Sequence, residues 1–376
     1  MAESASPRLQ MMHKRLESAV SQLLNDGHPS EDLAADRARV EKYIDAYEEG
    51  KLFFGRDTLA SLDRQIDALR TAGAVGDYNG DGGVVTLKDV IGNEKSWSLT
   101  PPECNTFCIR YTPHQIMTHM STKYPEYLLE AETPLAIGYQ HPVEPSGRPL
   151  CDLEAAFRAH QASWLASATC KSLTTTIAAS VATLRAPINN IVCFGLGRLD
   201  EWKLTNTPEE LAKSVQRAAW QHAAALTMAE TLTRAQGGGG DEVRCYTQDP
   251  VYADVEKQLL AALGFEILED PKGFLAVDDR TLVFSVTPNV PVRQIVADMV
   301  WPAAMVWDVI DKDRDDEWER EWRTDMNEGL ERRISPWFTD EGSIRITEMG
   351  QHYTFSPFPG DLHKNNFGSL GIYFRK

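Results

Sequence analysis

With 376 residues, 42% of them hydrophobic and 25% charged, the chain has ample material for a core, and no apolar run reaches the roughly 20 residues a bilayer crossing needs. Its 55 acidic residues outnumber 38 basic ones, and a net charge of −17 argues against a broad phosphate-binding surface, which requires concentrated Lys and Arg. The six cysteines (104, 108, 151, 170, 193 and 245) contain no CxxC pair, which excludes a cysteine-rich zinc module and leaves reduced thiols. With no apolar leader in MAESASPRLQMMHKRL, the expectation is a cytoplasmic protein with no membrane association and no structural metal.

The N-terminal region, 1–75, is expected to be helical. Apolar positions recur every three or four residues over 8–25, 31–49 and 57–72, and Asn-Asp-Gly and Gly50 separate the runs. DYNGDGGVVTLKD follows. Asp77, Asn79 and Asp81 stand at the first, third and fifth positions of a calcium loop, and Gly82 at the sixth. The twelfth, which calls for a bidentate Glu, is Lys88, and Asp89 misses by one place. The alternative is plain turn chemistry leading into a strand at 84–87. Residues 76–150 alternate short strand-like runs with turns; His114 and His119, five apart, do not share a helix face and so make a poor metal pair.

An Ala- and Ser/Thr-rich helix is predicted over 153–184, and a core of 151–309 then alternates strands and helices. The predicted strands are 191–194, 243–246, 265–268, 274–277 and 282–286; the predicted helices are 208–236, 251–263 and 291–300. Pro208 after Thr207, followed by Glu209 and Glu210, marks a helix start. This alternation implies an α/β, Rossmann-like, largely parallel sheet with flanking helices. The site in such sheets lies at the carboxyl ends of the strands, at 195–198, 246–249 and 287–289. After 191–194, Gly195 and Gly197 give half of a dinucleotide fingerprint; Asp200 stands where the third glycine belongs. Residues 310–376 carry an acidic stretch and a strand-rich C-terminal tail, with strands expected at 343–349 and 371–375.

The runs VCFGLG, AWQHAAAL, QDPVYADVEKQLLAALGFEIL and TLVFSVTPNVPVRQIVADMVWP, in that order, resemble the Sensitivity to Red Light Reduced (SRR-like) domain family over about 188–302. The resemblance implies a Rossmann-type domain. With AYEEGKLFFGRDTL it points to a fungal branch that includes arginine-containing cyclodipeptide synthases, enzymes of secondary metabolism. These join arginine and a second amino acid, both delivered as aminoacyl-tRNA, into a diketopiperazine without a cofactor. The partners so implied are arginyl-tRNA and a second aminoacyl-tRNA. One departure stands out: the family commonly has Pro-His after the last core strand, where this chain has Pro288-Asn289. Two alternatives stay open, a non-catalytic regulatory or ligand-binding SRR-like protein and a Rossmann-type methyltransferase using Gly195, Gly197 and Asp249.

Aminoacyl esters are already activated, so the chemistry needs positioning and a base for the amine proton rather than an ATP loop, and no GxxxxGK[ST] occurs. The catalytic candidates are Asp249, Tyr252, Glu256 and Thr287. Asp249 either meets a ligand or caps a helix beginning at Pro250; Tyr252 and Glu256, four apart, would share one face of that helix. Cys245, Tyr246 and Ser285 are further possible nucleophiles at strand ends. Substrate binding is assigned to Gly195, Gly197, Arg198, Gln221, His222, Asn289, Glu317 and Glu321. Gln221 and His222 are unexpected in an Ala-rich helix, and either one turns to the site or both make core hydrogen bonds. The stretch 307–331 holds eleven acids and four bases, with Glu317/Glu321 at helical spacing, where a cationic ligand would relieve like-charge repulsion; the alternative is a solvated face. Arg185, Arg198, Lys203, Lys213 and Arg217 make a basic patch for phosphate contacts, diluted by Glu201, Glu209 and Glu210.

Overall fold

The computed structural model describes residues 6–74, 83–99, 106–118, 125, 127–130, 132–140, 143–200, 207–237, 242–310, 323–324, 331–332, 340–360 and 366–376. These form two compact units. The first comprises Met1–Gln140, Asn289–Met299 and Asp311–Thr347, and the second His141–Pro288, Val300–Ile310 and Glu348–Lys376. No described helix is long and apolar enough to cross a membrane.

The first unit opens with three helices, α1 (Pro7–Asn25), α2 (Ser30–Glu48) and α3 (Arg56–Ala74). Ser6 caps α1 by accepting the Leu9 N–H at 3.1 Å, with Pro7 in the first turn. The buried Met12, Leu16, Ala19 and Leu23 of α1 lie four, three and four apart, one stripe of the cylinder. Two antiparallel pairs follow: β1 (Gly83–Lys88) with β2 (Glu94–Leu99), and β3 (Thr106–Tyr111) with β4 (Leu135–Gln140). Short helices α4 (His114–Met117) and α5 (Tyr127–Glu130) lie between β3 and β4. Asp89 builds the β1–β2 turn by accepting the Ile91 and Asn93 N–H groups, and its other oxygen takes the Tyr43 hydroxyl at 2.5 Å. Asp77, Asn79 and Asp81 lie outside the described residues.

In the second unit, α6 (Leu150–Ala166) and α7 (Ala168–Val181) precede β5 (Asn190–Phe194), α8 (Pro208–Ala235), β6 (Arg244–Gln248), α9 (Asp254–Ala262), β7 (Phe265–Ile267), α10 (Lys272–Ala276) and β8 (Thr281–Ser285). The chain then gives α11 (Val292–Met299) to the first unit and returns with β9 (Ala304–Asp308). Two short strands, β10 (Arg323–Thr324) and β11 (Glu331–Arg332), pair with each other; α12 (Ile344–Gly350), β12 (Tyr353–Pro357) and β13 (Leu370–Arg375) finish the chain.

Seven strands form one sheet in the order β12-β13-β9-β8-β5-β6-β7. The five from β9 to β7 are mutually parallel, and β13 and β12 join antiparallel. The α/β fold with a largely parallel sheet, flanking helices, a helical N-terminus and C-terminal strands is as expected. One face of the sheet carries the main core: Ile191, Cys193, Phe284 and Val306 meet Leu153, Trp164, Leu173, Ala224 and Leu260 of α6 to α9. On the opposite face Phe194 stacks on Phe274 of α10, with ring centroids 4.6 Å apart.

Several elements depart from the sequence reading. The helix predicted over 153–184 is two helices, because Ser167 leaves the helical region (φ −73°, ψ 154°) and its hydroxyl caps α7 at the Cys170 N–H. Residues 274–277, taken for a strand on their β-formers, lie largely in α10, whose Gly273 N–H is claimed by Gln248 Oε1 at 2.7 Å. Residues 343–349 form most of α12 rather than a strand, with the Ser343 hydroxyl accepting the Ile346 N–H. The strand at 371–375 is interior, paired on both sides, and β12 is the edge. Strand β9 was not foreseen. The helix expected from 251 begins at Asp254, so Asp249 is not its cap and Tyr252 is not on it.

Candidate active site

The strand order places the topological switch at β5 and β8. From β5 the chain moves to β6 and β7 in one direction, then crosses back to β8 and β9 on the other side, so the connections diverge at the carboxyl ends of β5 and β8. The two tips touch. Gly195 has φ +70°, and a Cβ there would lie 3.0 Å from Pro288 Cα. Glycine is required on both counts, conformation and space. On the β8 side Thr287 has φ +45°, rare for a β-branched residue and a form of strain that concentrates at functional positions.

Two carboxylates strap this tip to the β6–α9 connection. Asp249 Oδ2 accepts the Gly197 N–H at 2.9 Å, and Oδ1 accepts the Val251 N–H at 3.2 Å. Gly197, with φ +79°, turns its amide toward that acceptor. Glu256 is fully buried. Its Oε1 accepts Leu199 and Asp200 N–H groups at 2.5 and 3.2 Å, and Oε2 accepts the Ala253 N–H at 2.8 Å and lies 3.2 Å from Arg198 Nε. Arg198, itself buried, also reaches the Glu144 carbonyl. Asp200 accepts the Ser146 hydroxyl and lies 3.8 Å from Arg148. The segment 143–149 is thereby fastened to the tip of β5.

Behind the strap lies a closed relay. The Ala218 carbonyl, 2.7 Å from His222 Nδ1, can only accept, so Nδ1 carries the proton and Nε2 is the acceptor. The Tyr252 hydroxyl therefore donates to Nε2 at 2.8 Å and accepts from Thr247 Oγ1 at 2.9 Å. Burial pushes the His222 imidazole down to about 4, against the pull of the Ala218 carbonyl, and pushes the Tyr252 phenol well up. Burial likewise drives the Cys245 thiol up to about 12 and the Cys193 thiol upward, leaving both protonated and inert near neutrality. Asp249 behaves differently. Loss of solvent raises its carboxyl to about 6 despite the two N–H donors, with the Glu256 charge adding to the rise.

Of the sequence-predicted residues, Gly197 is hydrogen-bonded to Asp249 and Arg198 is paired with Glu256, while Gly195 packs against Pro288, the neighbour of Thr287. Tyr252 and His222 belong to the sealed relay. Gln221 is buried and donates to the Asn366 carbonyl at 2.7 Å. Asn289 is exposed and opens the next stretch of the first unit. Glu317 and Glu321 lie outside the described residues. Of the basic patch, Arg198 is buried on Glu256, Lys213 pairs with Glu209 at 2.8 Å, and Lys203 lies outside the described residues. Glu144, Ser146 and Arg148 were missed, because nothing local in a Pro/Gly-rich connection signals contacts more than fifty residues away.

Among the described residues no group of three or more His, Cys, Asp or Glu side chains is arranged to hold a metal ion. A family model, the SRR1 domain, matches residues 158–374, reaching well beyond the 188–302 resemblance on both sides and taking in β9, β12 and β13. No curated protein and no solved structure matches the chain. With more than half its length matched by that model, the chain belongs to the SRR1 domain family.

Proposed function

We propose that the strand-tip centre catalyses aminoacyl transfer, making a cyclo-arginine-Xaa diketopiperazine from arginyl-tRNA and a second aminoacyl-tRNA. The observation that carries the reading is Asp249: a carboxylate beside the switch point, held by two backbone donors and raised to about 6 by loss of solvent. A base of that strength, near the working pH, suits an amine nucleophile. The amine of one aminoacyl group attacks the ester carbonyl of the other. A C–N bond forms, the C–O bond to the ribose breaks, and the amine proton passes through Asp249 to the departing hydroxyl. The remaining amine then closes the ring on the second ester in the same manner. Positioning and proton transfer supply the rate, and no ATP or metal step is invoked.

Expression in a microbial host with mass spectrometry of the products tests this. An arginine-containing diketopiperazine is expected, falling by about 100-fold or more in Asp249→Asn. With purified protein, the rate should drop as pH falls through about 6, where the base becomes protonated. Absence of any such product, or an unaffected Asn variant, removes the enzyme reading. A second reading, a non-catalytic ligand-binding SRR1 protein, draws on Glu256 and Tyr252. Glu256 spends both oxygens on backbone donors and Arg198, and Tyr252 is enclosed between His222 and Thr247.

A further inference from the structure

We propose that Ser285 and Trp307 form a binding subsite for a ligand carbonyl or carboxylate oxygen at the carboxyl end of β8 and β9. Leu282, Val283 and Phe284 pair in parallel with Ala304, Met305 and Val306. One residue further on, Ser285 and Trp307 are neighbours. Phe284 and Val306 belong to the main core, so the alternation of a strand sends Ser285 and Trp307 to the opposite face, the face of the stacked Phe194 and Phe274. On its other side Trp307 is paired with Gly371, whose missing side chain leaves its place to the rings of Phe355 and Tyr373. Ser285 is 2% and Trp307 0% exposed, and among the described residues neither the Ser285 hydroxyl nor the Trp307 indole N–H has a hydrogen-bond partner.

Two buried polar groups without partners, side by side, are unusual, since each has given up water with no hydrogen bond in return. An indole N–H only donates, so what is missing is an acceptor, and the serine hydroxyl can donate to the same oxygen. Ser285 sits at the switch point, one residue before Val286, whose N–H donates to the Phe194 carbonyl at 3.2 Å, and two before the strained Thr287. Beside the Phe194 and Phe274 rings, two donors on neighbouring strands and the same face of the sheet suit the oxygen of a compact carbonyl or carboxylate group. The subsite rests on the aminoacyl-transfer reading only for naming that group as an aminoacyl ester carbonyl.

The test uses the full-length protein with 15N-labelled tryptophan, the Trp307 indole resonance being assigned through Trp307→Phe. L-arginine methyl ester, L-arginine and acetate are titrated separately. A saturable shift of that resonance is expected, from the ester if the subsite takes a neutral carbonyl and from the other two if it takes a carboxylate. Ser285→Ala should weaken the responding probe roughly tenfold. Because it removes an unsatisfied hydroxyl, the same variant should raise the melting temperature of the unliganded protein by about 2 °C. A resonance that no probe moves, or a Ser285→Ala variant that melts lower without ligand, overturns the subsite; the latter outcome means that a fixed water already satisfies the hydroxyl. The resonance is read without turnover. An unmoved peak beside product formation therefore sinks the subsite alone, and a moved peak without product sinks the enzyme reading alone.

Discussion

Glu256 shows how a single side chain can hold a strand tip and a helix together. Three amides and a buried guanidinium converge on its two oxygens, so the loop after β5 and the start of α9 share one anchor. Removing one partner of such a buried pair strands the other. Glu256→Ala is expected to lower stability by about 3–5 kcal/mol in urea titrations, and a loss under 1 kcal/mol would show that Arg198 finds another acceptor. Asp249 was legible in the sequence as the polar residue at a strand end. What it binds was not, because Gly197 lies 52 residues away and only the folded sheet brings them together. Gln221 and His222 were noticed as polar residues in an Ala-rich helix. Their core roles follow from partners on distant elements, the Asn366 carbonyl and the Tyr252 hydroxyl, which no local pattern could name.

Among the elements, those with strong local signals lie where the sequence places them. Helix α8 has Thr207, Pro208 and two acids at its start and an unbroken apolar face, and β5 and β8 are short runs of β-formers between turn residues. The errors lie where tertiary contacts outweigh propensity. Residues 272–276 turn helical with Gln248 gripping the Gly273 amide, and Ser167 breaks an otherwise continuous Ala-rich pattern by serving as a cap. Strand β9, AMVWD, is a continuous apolar run of the same kind as β5 and β8 and carries the same buried-strand signal. The touching strand tips give a test at this scale. Gly195→Ala forces a side chain into a left-handed conformation and against Pro288 Cα at 3.0 Å. A loss of about 2 kcal/mol or more in thermal or urea unfolding is expected. A variant as stable as the parent would mean that the tips separate easily.

At the scale of the whole chain, the family match at 158–374 and the compact units do not coincide. Helix α11 and residues 311–347 fall inside the matched region but belong to the unit built on the N-terminal helices. Asp298 of α11 makes the dependence concrete. Its carboxylate accepts the Phe53 and Phe54 amides at 2.8 and 3.1 Å, lies 3.3 Å from His114 Nε2, and takes Arg345 at 2.7 Å. Burial alone would raise this carboxyl, yet His114 and Arg345 bring it down to about 2. A fragment starting at residue 151 would keep Asp298 and Arg345 while losing Phe53, Phe54 and His114, and would bare the buried Val292, Ile295 and Val296 of the same helix. Such a fragment is expected to be insoluble or to aggregate on size-exclusion chromatography, whereas the full chain elutes as a defined species; a monodisperse fragment would count against the dependence. Sequence patterning showed where most helices and strands lie, but not that the helix between the parallel strands β8 and β9 would leave for another core, since amphipathic spacing specifies a buried face and not the surface that covers it.

The backbone passes from one unit to the other five times, after residues 140, 288, 299, 310 and 347. A single protease nick at exposed Gly237 would therefore leave each unit assembled from parts of both pieces, Met1–Gln140 with 289–299 on one side and β5 with β8 on the other. The two pieces would stay together through native gels and come apart only in denaturant. Intactness on a denaturing gel and integrity in solution thus become separate properties of this molecule.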